Sequence, residues 1–164
     1  MTHERTNQHF LELIHRHQSI IHKICFVYCK SRPDQEDLQQ EIILQLWKSF
    51  PSFQGNAAFS TWMYRVALNT AINQTKRNGL LIDSSSSPEI PYDPSHFYDL
   101  SEEIQILYRA ISQLRKVEKA IILLWLEEKS YEEIAESMGI SVKNVSVKLV
   151  RIRTRLAEII QKLQ

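Results

Sequence analysis

The sequence predicts an all-α protein built as two small helical domains joined by a flexible linker. Three Gly and five Pro among 164 residues are too few for the turns of a β-sandwich or for glycine-rich phosphate loops, while good helix formers such as Leu, Gln, Glu, Lys and Arg abound. Apolar side chains recur at three- and four-residue intervals along most of the chain, the period of helices with one buried face. Residues 79–100 interrupt that period and divide the chain. An apolar fraction of 43% and a charged fraction of 24% are those of a folded globular protein, which excludes a wholly disordered chain.

The first helical stripe is Phe10, Ile14, His17, Ile21, Ile24, Cys25 and Tyr28, with a kink expected across the polar residues 16–19. Cys25 and Cys29 share a face and read as two small buried hydrophobes. His15, His17 and His22 lack zinc spacing, so no metal or other cofactor is assigned. Pro33 breaks this helix and opens the next, whose first turn holds Asp34, Glu36 and Asp37 where the helix dipole favours acids. Leu38, Ile42, Leu46 and Trp47 form its stripe. Pro51 and Gly55 mark a loop over residues 50–56, after which Ser60 or Thr61 is expected to cap a helix running through Arg77.

The linker carries a serine run at residues 84–87, then Pro88, Pro91 and Pro94, and no Lys or Arg. It separates a domain at residues 1–78 from one at residues 101–164. In the second, Ser101 caps a helix with the stripe Ile104, Leu107, Ile111 and Leu114, followed by a helix with Val117, Ala120, Ile121, Leu124 and Trp125. Ser130 and Glu133 form a capping box, Ile134, Ala135 and Met138 face inward, Gly139 ends the short helix, and Ser141 starts another at once. Two helices joined by so short a turn make a helix-turn-helix.

The formal charge of +1 conceals a polarised chain. Residues 1–78 hold nine basic and six acidic groups, the linker four acids, and residues 141–164 six bases against one acid. With Val145, Leu149, Ile152 and Leu156 facing inward, Lys143, Lys148, Arg151, Arg153 and Arg155 are left for the outside. Lys143, Asn144, Ser146, Val147 and Val150 can then meet base edges in a major groove while cations neutralise phosphates. The competing reading is a solvated basic helix in an ordinary bundle. In the first domain Phe50, Phe53, Phe59, Trp62 and Tyr64 surround Gly55, Asn56 and Ser60, with Arg65, Asn69, Asn73, Lys76 and Arg77 beyond. Such a set suits capture of an unstacked base, or simple core packing. The acids of residues 34–41 suit a solvated helix start, or docking to a basic partner.

These residues carry a family resemblance. Residues 34–41 (Asp34, Gln35, Glu36, Asp37, Leu38, Gln39, Gln40, Glu41), residues 59–69 (from Phe59 and Ser60 through Trp62 and Arg65 to Asn69) and the helix-turn-helix resemble, in that order, region 2.2, regions 2.3 to 2.4 and region 4.2 of bacterial sigma factors. Without a region 3, the chain is similar to the extracytoplasmic-function (ECF) group. The resemblance implies that Asp37, Leu38, Gln40 and Glu41 dock on the β′ clamp coiled coil of core RNA polymerase, with the β flap as a further contact. It implies that Gly55, Asn56, Phe59, Ser60, Trp62 and Asn69 serve the minus-10 element, with Arg65, Lys76 and Arg77 on phosphates. Lys143, Asn144, Ser146, Val147, Lys148, Val150 and Arg151 would read the minus-35 element, and an anti-sigma factor would hold the free protein. Arg115 stands where the family usually has proline, and Ser146 where it often has arginine. The apolar run at residues 120–126 is far shorter than the ~20 residues that cross a bilayer, and the polar N-terminus has no signal core. The expectation is a cytoplasmic, non-enzymatic initiation factor that does not insert in membranes; the alternative is a dimeric helix-turn-helix repressor on a palindromic operator.

Overall fold

Helix follows helix in the computed structural model, which describes residues 2–55, 58–74, 90–93 and 95–164. The order is α1 (Thr2–Arg16), α2 (Gln18–Tyr28), α3 (Arg32–Ser49), a 3-10 turn (Phe50–Ser52), α4 (Phe59–Gln74), α5 (Ser95–Tyr98), α6 (Glu102–Ile111), α7 (Lys116–Leu126), α8 (Tyr131–Met138) and α9 (Val142–Leu163). No strand occurs among the described residues. The serine run, Asn56, Lys76 and Arg77 lie outside them.

The expected kink is a full break at His17, which ends α1 by donating its N–H to the Leu13 carbonyl and restarts the chain by accepting from the Ile20 N–H. Ser31 caps α3 by accepting the Asp34 N–H at 3.3 Å. α4 begins earlier than expected, since the Trp62 N–H already bonds the Ala58 carbonyl. Ser60 and Thr61 therefore sit inside its first turn, and the Thr61 hydroxyl accepts a bond from Lys129 at 2.7 Å.

α2, α3 and α4 pack on one another around Ile21, Ile24, Leu38, Ile42, Leu46, Met63 and Leu68, all nearly inaccessible to solvent. α9 packs on α6, α7 and α8 through Val145, Leu149, Ile152 and Leu156, the four positions expected to face inward. Ile104 and Val117 do not join this core as expected. Each lies in the first turn of its helix and is 40% and 41% exposed, while Tyr108, Ala110, Ile122 and Leu123 fill the interior.

The last part of the expected free linker is attached. The Ile90 carbonyl accepts bonds from Gln39 and Gln40 on α3 at 3.0 and 2.9 Å, the Tyr92 hydroxyl donates to Gln35 at 3.0 Å, and α5 packs on α2.

The two halves also meet directly, and their buried side chains form one continuous core. The Tyr28 hydroxyl donates to the Lys116 carbonyl at 2.7 Å. The Tyr64 hydroxyl donates to Glu127 at 2.7 Å, and Lys23 reaches the same carboxylate oxygen at 3.4 Å. Burial, with the Glu127 carboxylate beside it, pushes the Tyr64 phenol far above its ordinary pKa, so it remains a donor.

Between Glu127 and Lys129, Glu128 holds a left-handed backbone with φ 62°. A side chain in that conformation costs about 1–2 kcal/mol, and this one is exposed and offsets little of it. Glu128→Gly should raise stability by about 1 kcal/mol, read as a higher urea midpoint. A lower midpoint would show that glycine's extra freedom in the unfolded chain outweighs the relief.

Candidate nucleic-acid interface

The turn between α8 and α9 is assembled from local hydrogen bonds. The Glu133 N–H donates to the Ser130 hydroxyl at 3.1 Å, which starts α8. Gly139, at φ 69°, ends it, and the Ile140 N–H returns to the Ala135 carbonyl at 3.1 Å. The Ser141 hydroxyl then accepts the Asn144 N–H at 3.1 Å, so only three residues separate α8 from α9.

The cations of α9 separate into two sets. Arg153 lies over the Trp125 ring, 4.9 Å from its centroid, and Arg155 pairs with Glu118 at 3.6 Å. Both lie on the outer surface, as the sequence suggested, but each is already engaged by a neighbouring side chain. Lys143, Asn144, Lys148 and Arg151 are exposed, together with Val147 at 42% and Val150 at 65%, and Ser146 is half-buried at the edge. The outer face of the first half of α9 is thus a row of cations, one amide and bare methyl groups. Such a row can bond phosphates and base edges and pack on thymine methyls.

In the first half of the chain Phe50, Phe53, Phe59 and Trp62 form one cluster, while Tyr64, expected beside them, is buried in the core and bonded to Glu127. Phe53 lies 5.0 Å from Trp62 and 5.7 Å from Phe59, and Phe59 lies 5.4 Å from Trp62. Phe50 ties this group to the core through Phe10 at 5.2 Å. Phe59, Ser60, Trp62 and Arg65 are half-buried, and Asn69 is exposed. Helical spacing places Trp62, Arg65 and Asn69 along one face of α4. The Arg65 Nε is buried without a hydrogen-bond partner. Gly55, at φ 75° and exposed, turns the chain just before this surface.

On α3, Asp37 is exposed, while Gln40 and Glu41 are half-buried. Glu41 accepts from Gln45 at 3.0 Å, and Gln40 is bonded to the Ile90 carbonyl. Leu38 departs from the expectation of a contact residue. At 1% exposure it belongs to the core and supports the acidic face from beneath. The contacts Tyr64–Glu127 and Thr61–Lys129, which place the α7–α8 turn beside α4, had no local signal in the sequence.

Comparison with known proteins agrees with this geometry. Residues 13–80 match the family model for Sigma-70 region 2, and residues 104–156 that for Sigma-70, region 4. The chain is 32% identical to the ECF RNA polymerase sigma-E factor of Haemophilus influenzae over 168 residues, covering 92% of this chain and 87% of that one. It is 33% identical to the sigma-E factor of Escherichia coli over 159 residues, covering 87% and 83%. Its fold resembles the sigma factor RpoE in complex with the anti-sigma factor NepR from Bartonella quintana, with a TM-score of 0.68 at 19% identity over 94% of this chain and 98% of that one. It also resembles CnrH in complex with the cytosolic domain of CnrY, with a TM-score of 0.64 at 18% identity over 95% and 90%. With both family regions in order and a third of its residues shared with these relatives, the chain belongs to the ECF sigma factors, the initiation factors that direct RNA polymerase to promoters.

Proposed function

We propose that this chain docks on core RNA polymerase through the acidic face of α3, reads the minus-35 element with α9, and captures an unstacked non-template base of the minus-10 element beside α4. The observation that carries the reading is the exposed row on α9, set by a capped turn of three residues on a helix whose other side is buried. Asp37, Gln40 and Glu41 supply the docking charge and hydrogen bonds, with the β′ clamp coiled coil as their partner and the β flap as a second polymerase contact. Lys143, Asn144, Ser146, Val147 and Val150 meet the bases, and Lys148 and Arg151 the phosphates. The short side chains at Ser146, Val147 and Val150 favour methyl contacts and DNA shape over bidentate guanine readout.

Bond-making in transcription belongs to the polymerase core, so the chain itself is not an enzyme, and its partners place it in the cytoplasm. No helix among the described residues is long and apolar enough to cross a membrane. The two structures that it resembles are each bound to a protein partner, NepR or the cytosolic domain of CnrY, which supports an anti-sigma factor for this chain also. Residues 1–78 and 101–164 divide the labour between the two promoter elements.

Run-off transcription with purified core enzyme on genomic fragments tests the reading. New start sites are expected when the chain is added, and unchanged start sites with no binding to core would refute it. For Asn69→Ala, strand opening on a duplex promoter should fall, with a smaller loss on a pre-melted one. Equal losses would place Asn69 outside base capture.

A further inference from the structure

Arg115 is the residue at which the chain departs from the usual proline, and its surroundings give that departure a role. Arg115, Lys116, Val117 and Glu118 at the start of α7 and Lys148 and Arg151 on α9 line a single open groove. Its one acid is already engaged. Glu118 accepts the Arg115 backbone N–H at 3.1 Å and pairs with Arg155 at 3.6 Å. Among the described residues, none of the remaining four cations lies within ion-pairing distance of a carboxylate. The neighbouring Lys119 takes no part, because its ammonium sits 5.1 Å from the centre of the Tyr28 ring.

We propose that Arg115 and Lys116 join Lys148 and Arg151 in a phosphate-binding groove that grips one strand's backbone in the duplex read by α9. Four like charges held around one depression repel one another, and a phosphodiester relieves that repulsion. Lys148 and Arg151 lie on the exposed side of α9 just beyond Lys143 and Asn144, where the helix leaves a major groove and meets its phosphate wall. The guanidinium of Arg115 adds a forked donor that can hold two phosphate oxygens, which proline cannot do. Two of the α9 cations are committed to Trp125 and Glu118, so α7 supplies the charge that α9 does not present. The groove fixes register on the duplex and carries no sequence information. It rests on the assignment of α9 as the duplex-reading helix.

The test uses the full chain and a short fluorescent duplex of mixed sequence, because phosphate contacts do not depend on sequence. The logarithm of affinity falls with the logarithm of salt by about 0.9 per phosphate contact, so Arg115→Ala with Lys116→Ala should lower the slope by about 1.8. Arg115→Gln with Lys116→Gln should do the same while keeping side-chain bulk, and the backbone N–H that bonds Glu118 remains in both pairs. An unchanged slope in these pairs, alongside a reduced slope in Lys148→Ala with Arg151→Ala, would overturn the groove and leave α9 as the reader. Unchanged slopes in all pairs, or no duplex binding by the unaltered chain even at low salt, would overturn both. A loss seen only with single-stranded RNA would assign the groove to a different polyanion and overturn it for DNA.

Discussion

Leu149→Ala should cost about 2–5 kcal/mol of stability, the largest effect expected from one truncation in the second half of the chain. Leu149 is 1% exposed on α9, and α9 is the helix on which α6, α7 and α8 all pack. In urea, the Trp125 fluorescence transition should move to much lower concentration, because the ring is held against α9 by Arg153. Val150→Ala is the matching control. It lies on the same helix but is 65% exposed, and it should shift stability by less than about 0.5 kcal/mol. Equal shifts from the two substitutions would mean that the inner and outer faces of α9 have been misassigned.

Asp37→Arg should weaken binding to core RNA polymerase at least tenfold, or about 1.4 kcal/mol. Reversing a charge on a docking face replaces an attraction with a repulsion, and interfacial charge changes of this kind commonly cost several kcal/mol. Asp37 is exposed and makes no contact that the fold needs, so the thermal midpoint should scarcely move. Leu38→Ala should behave in the opposite way, losing stability first and polymerase binding only as a consequence, because its side chain is core. Competition between labelled and unlabelled chains for core enzyme measures both. Undiminished affinity in Asp37→Arg would remove α3 from the docking interface.

Local chemistry made much of this molecule legible from sequence. Ser130, Gly139 and Ser141 each act on backbone groups within five residues, so the helix-turn-helix could be placed to the residue, and so could the inward stripe of α9. The same short range explains what was missed. Leu38 lies in the buried stripe that its helical period predicts, and it was the family resemblance, not the period, that implied a docking contact there. Ile104 and Val117 have the right period for burial, but period does not say where a neighbouring helix stops. Arg153 and Arg155 look free in sequence because Trp125 and Glu118, which engage them, lie on another helix. The Tyr64–Glu127 and Tyr28–Lys116 bonds join residues 63 and 88 positions apart, and no local rule anticipates such pairs.

Those two tyrosines have a consequence for how the chain melts. Each hydroxyl is formed in one half and satisfied by the other, and Tyr64 is 1% exposed. If the second half unfolded alone, both phenols would lose their acceptors, at a cost of about 1–3 kcal/mol for each that stayed buried; if the first did, the Lys116 carbonyl and the Glu127 carboxylate would lose their donors, and either event would expose apolar surface that now lies in a shared interior. Partial unfolding is penalised from both sides. The regions matched separately by two family models therefore behave as one cooperative unit, and calorimetry should record a single heat-absorption peak where two independent modules would give two.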